Sequence, residues 1–208
     1  MRAFIYTGGE ICAAGITERP EQGDLVIAAY AGYRAAKTFG VKPDILLGDF
    51  DSLGEPKAEN GVEILRVPAE KDFTDTQFAV QTAIERGADF LTIVGGLSGR
   101  LDHTLSNLAI LEELESKHLH GIITDGWNRA HFIRNNSTLV ARSEQFAYLS
   151  ILAADPLLRG VTIEGCKYPL KNAKIKKTNQ FAVSNEITGN CAFIAIRRGG
   201  AWIVESAK

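Results

Sequence analysis

The feature that most limits how this chain can fold is a rhythm. Through the first two thirds, short apolar runs alternate with longer segments of helical period. Asp24 to Tyr30, Pro43 to Gly48, Glu63 to Val67, Phe90 to Val94 and Gly121 to Thr124 read as buried strands, each bounded by turn residues. Between them lie helices. Ala31 to Phe39 closes on Gly40, Asp75 to Arg86 closes on Gly87, and Asp102 to His118 carries Leu105, Leu108, Ile110 and Leu111 before a charged stretch. Strands and helices in alternation predict an α/β domain with a Rossmann-like, mostly parallel sheet.

After about Leu139 the period changes. Phe146 to Leu152, Val161 to Glu164, Phe181 to Ser184, Cys191 to Ile196 and Ala201 to Val204 are short alternating segments with turn residues between them and no convincing helix. They predict a small all-β sandwich or barrel, with Arg198-Gly199-Gly200 as the tight turn between the last two strands. The expected division is an α/β domain over 1–138 and a β-sandwich domain over 139–208.

Composition narrows the function classes. With 45% hydrophobic residues, the chain has the makings of a packed core rather than a disordered segment. A formal net charge of −2 gives no general attraction to nucleic acid or to an anionic membrane, so any phosphate chemistry must come from a local arrangement. Cys12, Cys166 and Cys191 are odd in number and widely spaced, which fits neither a disulfide framework nor a zinc site. No run approaches the roughly 20 apolar residues of a membrane span, and the N-terminal apolar run is too short for a signal peptide. The expected location is the cytoplasm, with a small-molecule partner.

Three loops carry candidate chemistry. In the first, the strand Ile45-Leu46-Leu47-Gly48 runs straight into Asp49 and Asp51, a spacing that puts both carboxylates on one side of an extended chain. Carboxyl ends of strands are where open α/β sheets bind ligands, and paired carboxylates with substrate phosphates suit Mg²⁺. A solvated Asp-rich turn is the alternative. In the second, Thr74 and Gln77 fit a capping box around the acidic first turn at Asp75. That local role leaves Lys71 and Asp72 unexplained. A carboxylate here would complete a three-Asp metal site, and Lys71 with the helix N-terminus suits polyphosphate oxygens. The third segment, Ile93 to His103, is a strand end, a glycine-rich loop and a helix start, with Arg100 offering a five-donor fork for phosphate. It is neither a Walker A loop nor a GxGxxG turn. His103 reads equally as a helix-start partner of Asp102 or as a nucleotide contact, and Asn107 as a side chain that holds the loop in place.

In this order, Gly48 to Ser52, Asp72 to Asp75, Gly99 to His103 with Asn107, Gly165 to Leu170 and Ser184-Asn185-Glu186 resemble the signatures of the thiamine pyrophosphokinase (thiamine diphosphokinase) family, across nearly the whole chain. The resemblance implies transfer of a diphosphoryl group from ATP to thiamine, with magnesium bound by Asp49, Asp51 and Asp75. Asp72, Thr74, Arg100, Asp102 and His103 would lie around ATP, with Asp75 and Arg100 in catalysis. It also implies a homodimer whose interface forms the thiamine pocket, met by Ser184 and Asn185. Read from the residues alone, Ser184-Asn185 is an ordinary turn pair. Two positions depart from the family pattern: Tyr30 stands where relatives carry an acid, and Phe78 where many carry Lys. A phenol of pKa about 10 does not replace a carboxylate at neutral pH. A catalytically weak thiamine- or nucleotide-binding homologue and another Mg²⁺-dependent phosphotransferase are therefore the competing readings.

Overall fold

The apolar stretch at the N-terminus, which in the sequence argued only against a signal peptide, is the central strand of a parallel sheet. It forms β1 (Arg2–Tyr6), whose Ala3, Ile5 and Tyr6 are almost wholly buried. The structure is a computed structural model and describes residues 1–48, 61–67 and 72–208. Two compact units emerge, Met1–Ile110 with His118–Gly126, and Leu111–Lys117 with Trp127–Lys208.

In the first unit β1 is followed by β2 (Leu25–Ala29), α1 (Gly32–Thr38), β3 (Ile45–Gly48), β4 (Glu63–Arg66), α2 (Asp75–Glu85), β5 (Phe90–Val94), the start of α3 (Leu101–Ser116) and β6 (His120–Thr124). The strands lie in the order β4-β3-β2-β1-β5-β6, every neighbour parallel. Ile27, Leu46, Leu47, Leu91, Ile93 and Ile123 are fully buried, as the near-continuous apolar runs of a parallel sheet covered on both faces require. Phe4, Tyr6, Val26 and Val94 pack on Ala35 and Ala36 of α1. Thr7, one residue on and so on the opposite face, meets α2. The two helices therefore cover opposite faces. Leu105, one of the expected apolar positions of α3, is exposed, while Asn107, Ile110, Leu111 and Leu114 are buried.

The second unit is antiparallel throughout. β7 (Asn128–Arg134), β13 (Gly200–Ser206) and β9 (Tyr148–Ala153) form one ladder, and β11 (Leu170–Lys176), β10 (Leu157–Glu164), β12 (Cys191–Arg198) and β8 (Ser137–Ala141) the other. One core holds inward residues of both sheets, among them Ile133, Ile151, Ile163, Ile175, Ile194 and Ile203, which makes the unit a β-sandwich. The turn expected at Gly199 joins β12 to β13. Phe181 to Ser184, expected as a strand, is irregular: Ser184 has φ +55°, which no extended strand accommodates, and the segment meets β9 through isolated contacts, the Ala182 carbonyl accepting from the Ile151 amide at 2.8 Å and Asn185 bridging Leu149. β11 escaped the sequence reading because Lys171, Asn172, Lys174 and Lys176 are exposed and only Ile175 is fully buried.

Candidate active site

The strand order reverses at β1. The chain steps outward from β1 through β2 and β3 to β4, then returns to place β5 and β6 on the other side. In open α/β sheets the crevice beyond the carboxyl ends at such a reversal is the binding position. Here it is bordered by Thr7-Gly8-Gly9 after β1 and by Gly95 to Arg100 after β5.

These two loops are fastened to each other. The Thr7 amide donates to the Val94 carbonyl at 2.9 Å and the Gly96 amide to the Gly8 carbonyl at 2.9 Å. The Ser98 hydroxyl accepts from the Glu10 amide at 2.7 Å and donates to the Glu10 carbonyl at 3.3 Å. Asn107 reaches back from the second turn of α3, and its buried Nδ2 donates to the Gly96 carbonyl at 2.9 Å. It holds the loop, as read from the sequence. Gly96 must be glycine on two counts: its φ is +77°, and a Cβ there would lie 2.6 Å from Asn107 Nδ2.

The start of α2 is fixed twice. Thr74 forms the expected capping box, its Oγ1 accepting from the Gln77 amide at 3.2 Å while Gln77 Oε1 accepts from the Thr74 amide at 2.9 Å. A second tie was not foreseen. The hydroxyls of Thr7 and Thr76, both buried, lie 2.8 Å apart and link the carboxyl end of β1 to the residue after Asp75. Asp75 itself is half-buried in the first helical turn, where the macrodipole favours a carboxylate, and Asp72 is exposed beside it.

At the start of α3 the Arg100 guanidinium grips Asp102 through Nε at 3.1 Å and Nη2 at 2.5 Å. That hydrogen bond, opposed by slight burial, holds the Asp102 carboxyl below its usual range. Both side chains are exposed, and Asp102 also accepts from the His103 amide at 2.9 Å. Arg100 thus commits two of its five N–H donors to positioning its fork. Asp49, Asp51 and Lys71 lie outside the described residues; in the chain, the two aspartates directly follow Gly48, the last residue of β3. Among the described residues no group of three His, Cys, Asp or Glu is placed to hold a metal. Tyr30 packs against Gly48, where a Cβ would lie 2.6 Å from the Tyr30 Cβ, and its amide donates to the Leu47 carbonyl at 2.7 Å. Sequence reasoning also passed over Asp125, buried just beyond β6, where its carbonyl accepts from the Cys12 amide.

In the β-sandwich unit, two of the signature segments are one structure. Asn185 Oδ1 accepts from the Tyr168 and Glu186 amides, each at 3.0 Å, and its Nδ2 donates to the Tyr168 carbonyl at 2.8 Å. Lys167 adds an ion pair to Glu186 at 2.8 Å. Asn185 is buried, so its amide fastens the Gly165 to Leu170 segment to Ser184-Asn185-Glu186, while Ser184, Tyr168 and Val183 are exposed around it.

Two family models match this chain in succession: the catalytic domain of thiamin pyrophosphokinase over residues 18–123, and its vitamin B1 binding domain over residues 136–199. The chain is 29% identical over 164 residues to a thiamine pyrophosphokinase of Bacillus subtilis (strain 168), covering 77% of each chain. It is 24% identical over 169 residues to thiamin pyrophosphokinase 1 of Caenorhabditis elegans, covering 76% of this chain and 68% of the relative. Among solved structures, thiamine pyrophosphokinase from Bacillus subtilis superimposes over 100% of both chains with a TM-score of 0.89 at 24% identity. A thiamin pyrophosphokinase family protein from Enterococcus faecalis does so with a TM-score of 0.83 at 26% identity, again over 100% of both.

Proposed function

Because this chain belongs to the thiamin pyrophosphokinase family, we propose that it transfers a diphosphoryl group from ATP to the hydroxyl of thiamine, giving thiamine diphosphate and AMP. The observation that carries the reading is the match of the catalytic-domain model over residues 18–123, which contains all three candidate loops at the carboxyl ends of β3, β4 and β5.

In the proposed reaction the thiamine hydroxyl attacks the β-phosphorus of ATP in line, and AMP leaves. Positioning and charge stabilisation supply most of the catalysis in such transfers. Asp49, Asp51 and Asp75 are hard oxygen donors, a set that fits Mg²⁺ rather than a softer metal. When bound, the ion would neutralise charge on the phosphate oxygens. Arg100, held by Asp102, would offer its fork to the charge that grows on the transferring group. Thr74, Asp72 and His103 would border ATP, the first through a helix start whose N-terminus favours anions. Asp75 is the group we assign to orient the thiamine hydroxyl and accept its proton. Ser184 would face thiamine, with Asn185 bracing the loop that presents it, and a second copy of the chain would complete the pocket.

Tyr30 motivates the weaker-catalyst reading, since it occupies the end of β2 against Gly48, immediately before Asp49. A coupled assay of AMP release on the wild type, Asp51→Asn and Tyr30→Asp decides between them. The proposal expects thiamine-dependent AMP release that Asp51→Asn abolishes, and a lower Mg²⁺ requirement in Tyr30→Asp. Full activity in Asp51→Asn would remove the metal assignment. Thiamine binding without AMP release in the wild type would replace the enzyme by a binding protein.

A further inference from the structure

Charge is distributed unevenly along this chain. Residues 1–126 hold 11 Lys and Arg against 20 Asp and Glu, whereas residues 127–208 hold 12 against 5. The excess in the β-sandwich unit is concentrated by strand register. Lys174 of β11 is the Cα partner of Arg159 of β10, and Arg159 is the partner of Arg198 of β12. Three cations on three adjacent strands therefore stand in one row, all exposed. Like charges directly opposite each other in a sheet repel.

Among the described residues no carboxylate is ion-paired with Lys174, Arg159 or Arg198, although Asp155 lies close to the Arg198 end of the row, where its Oδ2 accepts from the Gly200 amide at 3.1 Å. Asp155 is paired with Arg134, Glu186 with Lys167 and Glu205 with Arg129. On the α3 segment, Glu112 and Glu115 go to Arg134, and Glu113 to Lys117. Glu164 lies at the far end of β10, five residues from Arg159 and so roughly 16 Å along the strand. That is about twice the Debye length at physiological salt. A further cation, Arg197, precedes Arg198 in β12 and so belongs to the opposite face of the sheet. Gly160, the residue after Arg159, has φ +67°, and a Cβ there would lie 2.7 Å from Arg197 Cβ and 3.0 Å from Arg197 Nε. The missing side chain is what lets Arg197 lie across β10.

We propose that Lys174, Arg159 and Arg198 form a binding site for a short linear polyphosphate anion, made of residues other than those of the catalytic loops. Strands are about 4.8 Å apart, so the row spans roughly 10 Å. At one charge per about 3.4 Å of a nucleic-acid strand, that length matches about three phosphates. A short anion is favoured over a long one because the row itself is only three cations long. The bound anion would replace the repulsion along the row with charge-assisted hydrogen bonds.

The test is calorimetric titration of the full-length protein with sodium tripolyphosphate, without divalent metal and at fixed ionic strength. The proteins are the wild type, Arg159→Gln, Lys174→Gln and, to account for binding on the catalytic face, Arg100→Gln. The expected result is binding that weakens roughly tenfold in each row variant, about 1.4 kcal/mol, and is retained in Arg100→Gln. Thermal unfolding at low salt supplies the second reading: Arg159→Gln should melt higher than the wild type without the anion and gain less from it. Equal affinity in the row variants, or an equal thermal shift from sodium chloride, would overturn the proposal. Tighter, row-dependent binding of a single-stranded oligonucleotide than of tripolyphosphate would overturn it in favour of a nucleic-acid surface. Loss of thiamine-dependent AMP release in the row variants would overturn the separation from the catalytic loops.

Discussion

The hydroxyl pair between Thr7 and Thr76 ties the start of α2 to the central strand, and its removal has a calculable effect. Thr7→Val keeps the shape of the side chain and deletes its hydroxyl. Thr76 Oγ1, buried and 2.8 Å from its former partner, is then left without one. Such an orphan costs roughly 1–3 kcal/mol, and about 2–4 °C of melting temperature per kcal/mol in a chain of this size, so a fall of roughly 2–12 °C is expected. Thr76→Val should cost a similar amount. The double variant should cost much less than the sum, because two apolar groups of the same shape leave no orphan. Thr7→Ser, which keeps the hydroxyl, should stay closer to the wild type. The assay is thermal and urea unfolding of the wild type and the four variants, with AMP release measured in parallel. Thr7→Val should lower kcat more than it raises KM for thiamine, since Thr76 adjoins Asp75 and the hydroxyl pair positions that turn. If the two single variants add within about 0.3–0.5 kcal/mol, the hydroxyls are not coupled and the positioning role is wrong.

Three further outcomes follow from the same kind of accounting. Burial, aided by the nearby Arg129 charge, pushes the His131 imidazole from 6.5 down to about 4. Between those values the unfolded chain binds a proton that the folded chain refuses, so stability falls as the pH drops through this window, by up to roughly 3 kcal/mol. Urea unfolding at pH 7 and pH 4.5 should show that fall in the wild type and not in His131→Leu, which also loses no hydrogen bond at Nε2; equal slopes would refute it. Gly96→Ala should cost about 1–2 kcal/mol from its left-handed φ alone, with more from the approach to Asn107, and unfolding with AMP release should register both losses. Asn185→Ala strips the Tyr168 carbonyl and the Tyr168 and Glu186 amides of one shared partner. It should destabilise the β-sandwich unit by roughly 1–3 kcal/mol and raise KM for thiamine; an unchanged melting temperature would contradict the bracing role.

What the sequence disclosed about this fold depended on how far apart the interacting residues lie. The capping box at Thr74 and Gln77 was legible because its two halves are three residues apart and each prefers its position intrinsically. The helices and inner strands were legible because burial on one or both faces leaves a period. Thr7 and Thr76 are 69 positions apart, and neither residue type signals a partner. Only the placement of β1 beside the start of α2 makes them neighbours. β1 could have been found, since Ala3 to Tyr6 is an apolar run followed by Gly8-Gly9, the same strand-then-glycine pattern that identified β5. β11 could not, because an edge strand with four exposed polar positions carries little of the alternation that a core-facing strand shows.

The site divides along the same line. Arg100 and Asp102 are two residues apart and grip each other, and Asn107 bonds to Gly96 across one loop. Asn185 is different: the turn pair it forms in sequence is ordinary, and its brace depends on Tyr168, 17 positions upstream. Net charge misled for a related reason. A value of −2 argues against polyanions only if charge is spread evenly, and the 12-to-5 excess after residue 126 shows that it is not. Even that regional count would not have located a site, because Lys174, Arg159 and Arg198 are dispersed along the chain. Their row exists only through the pairing of three antiparallel strands, one of them the strand that sequence periodicity passed over. The same register that buries Ile163 and Ile194 inside the sandwich lines up the exposed cations at its edge. A change in pairing that preserved composition and the buried pattern on one strand would abolish the row.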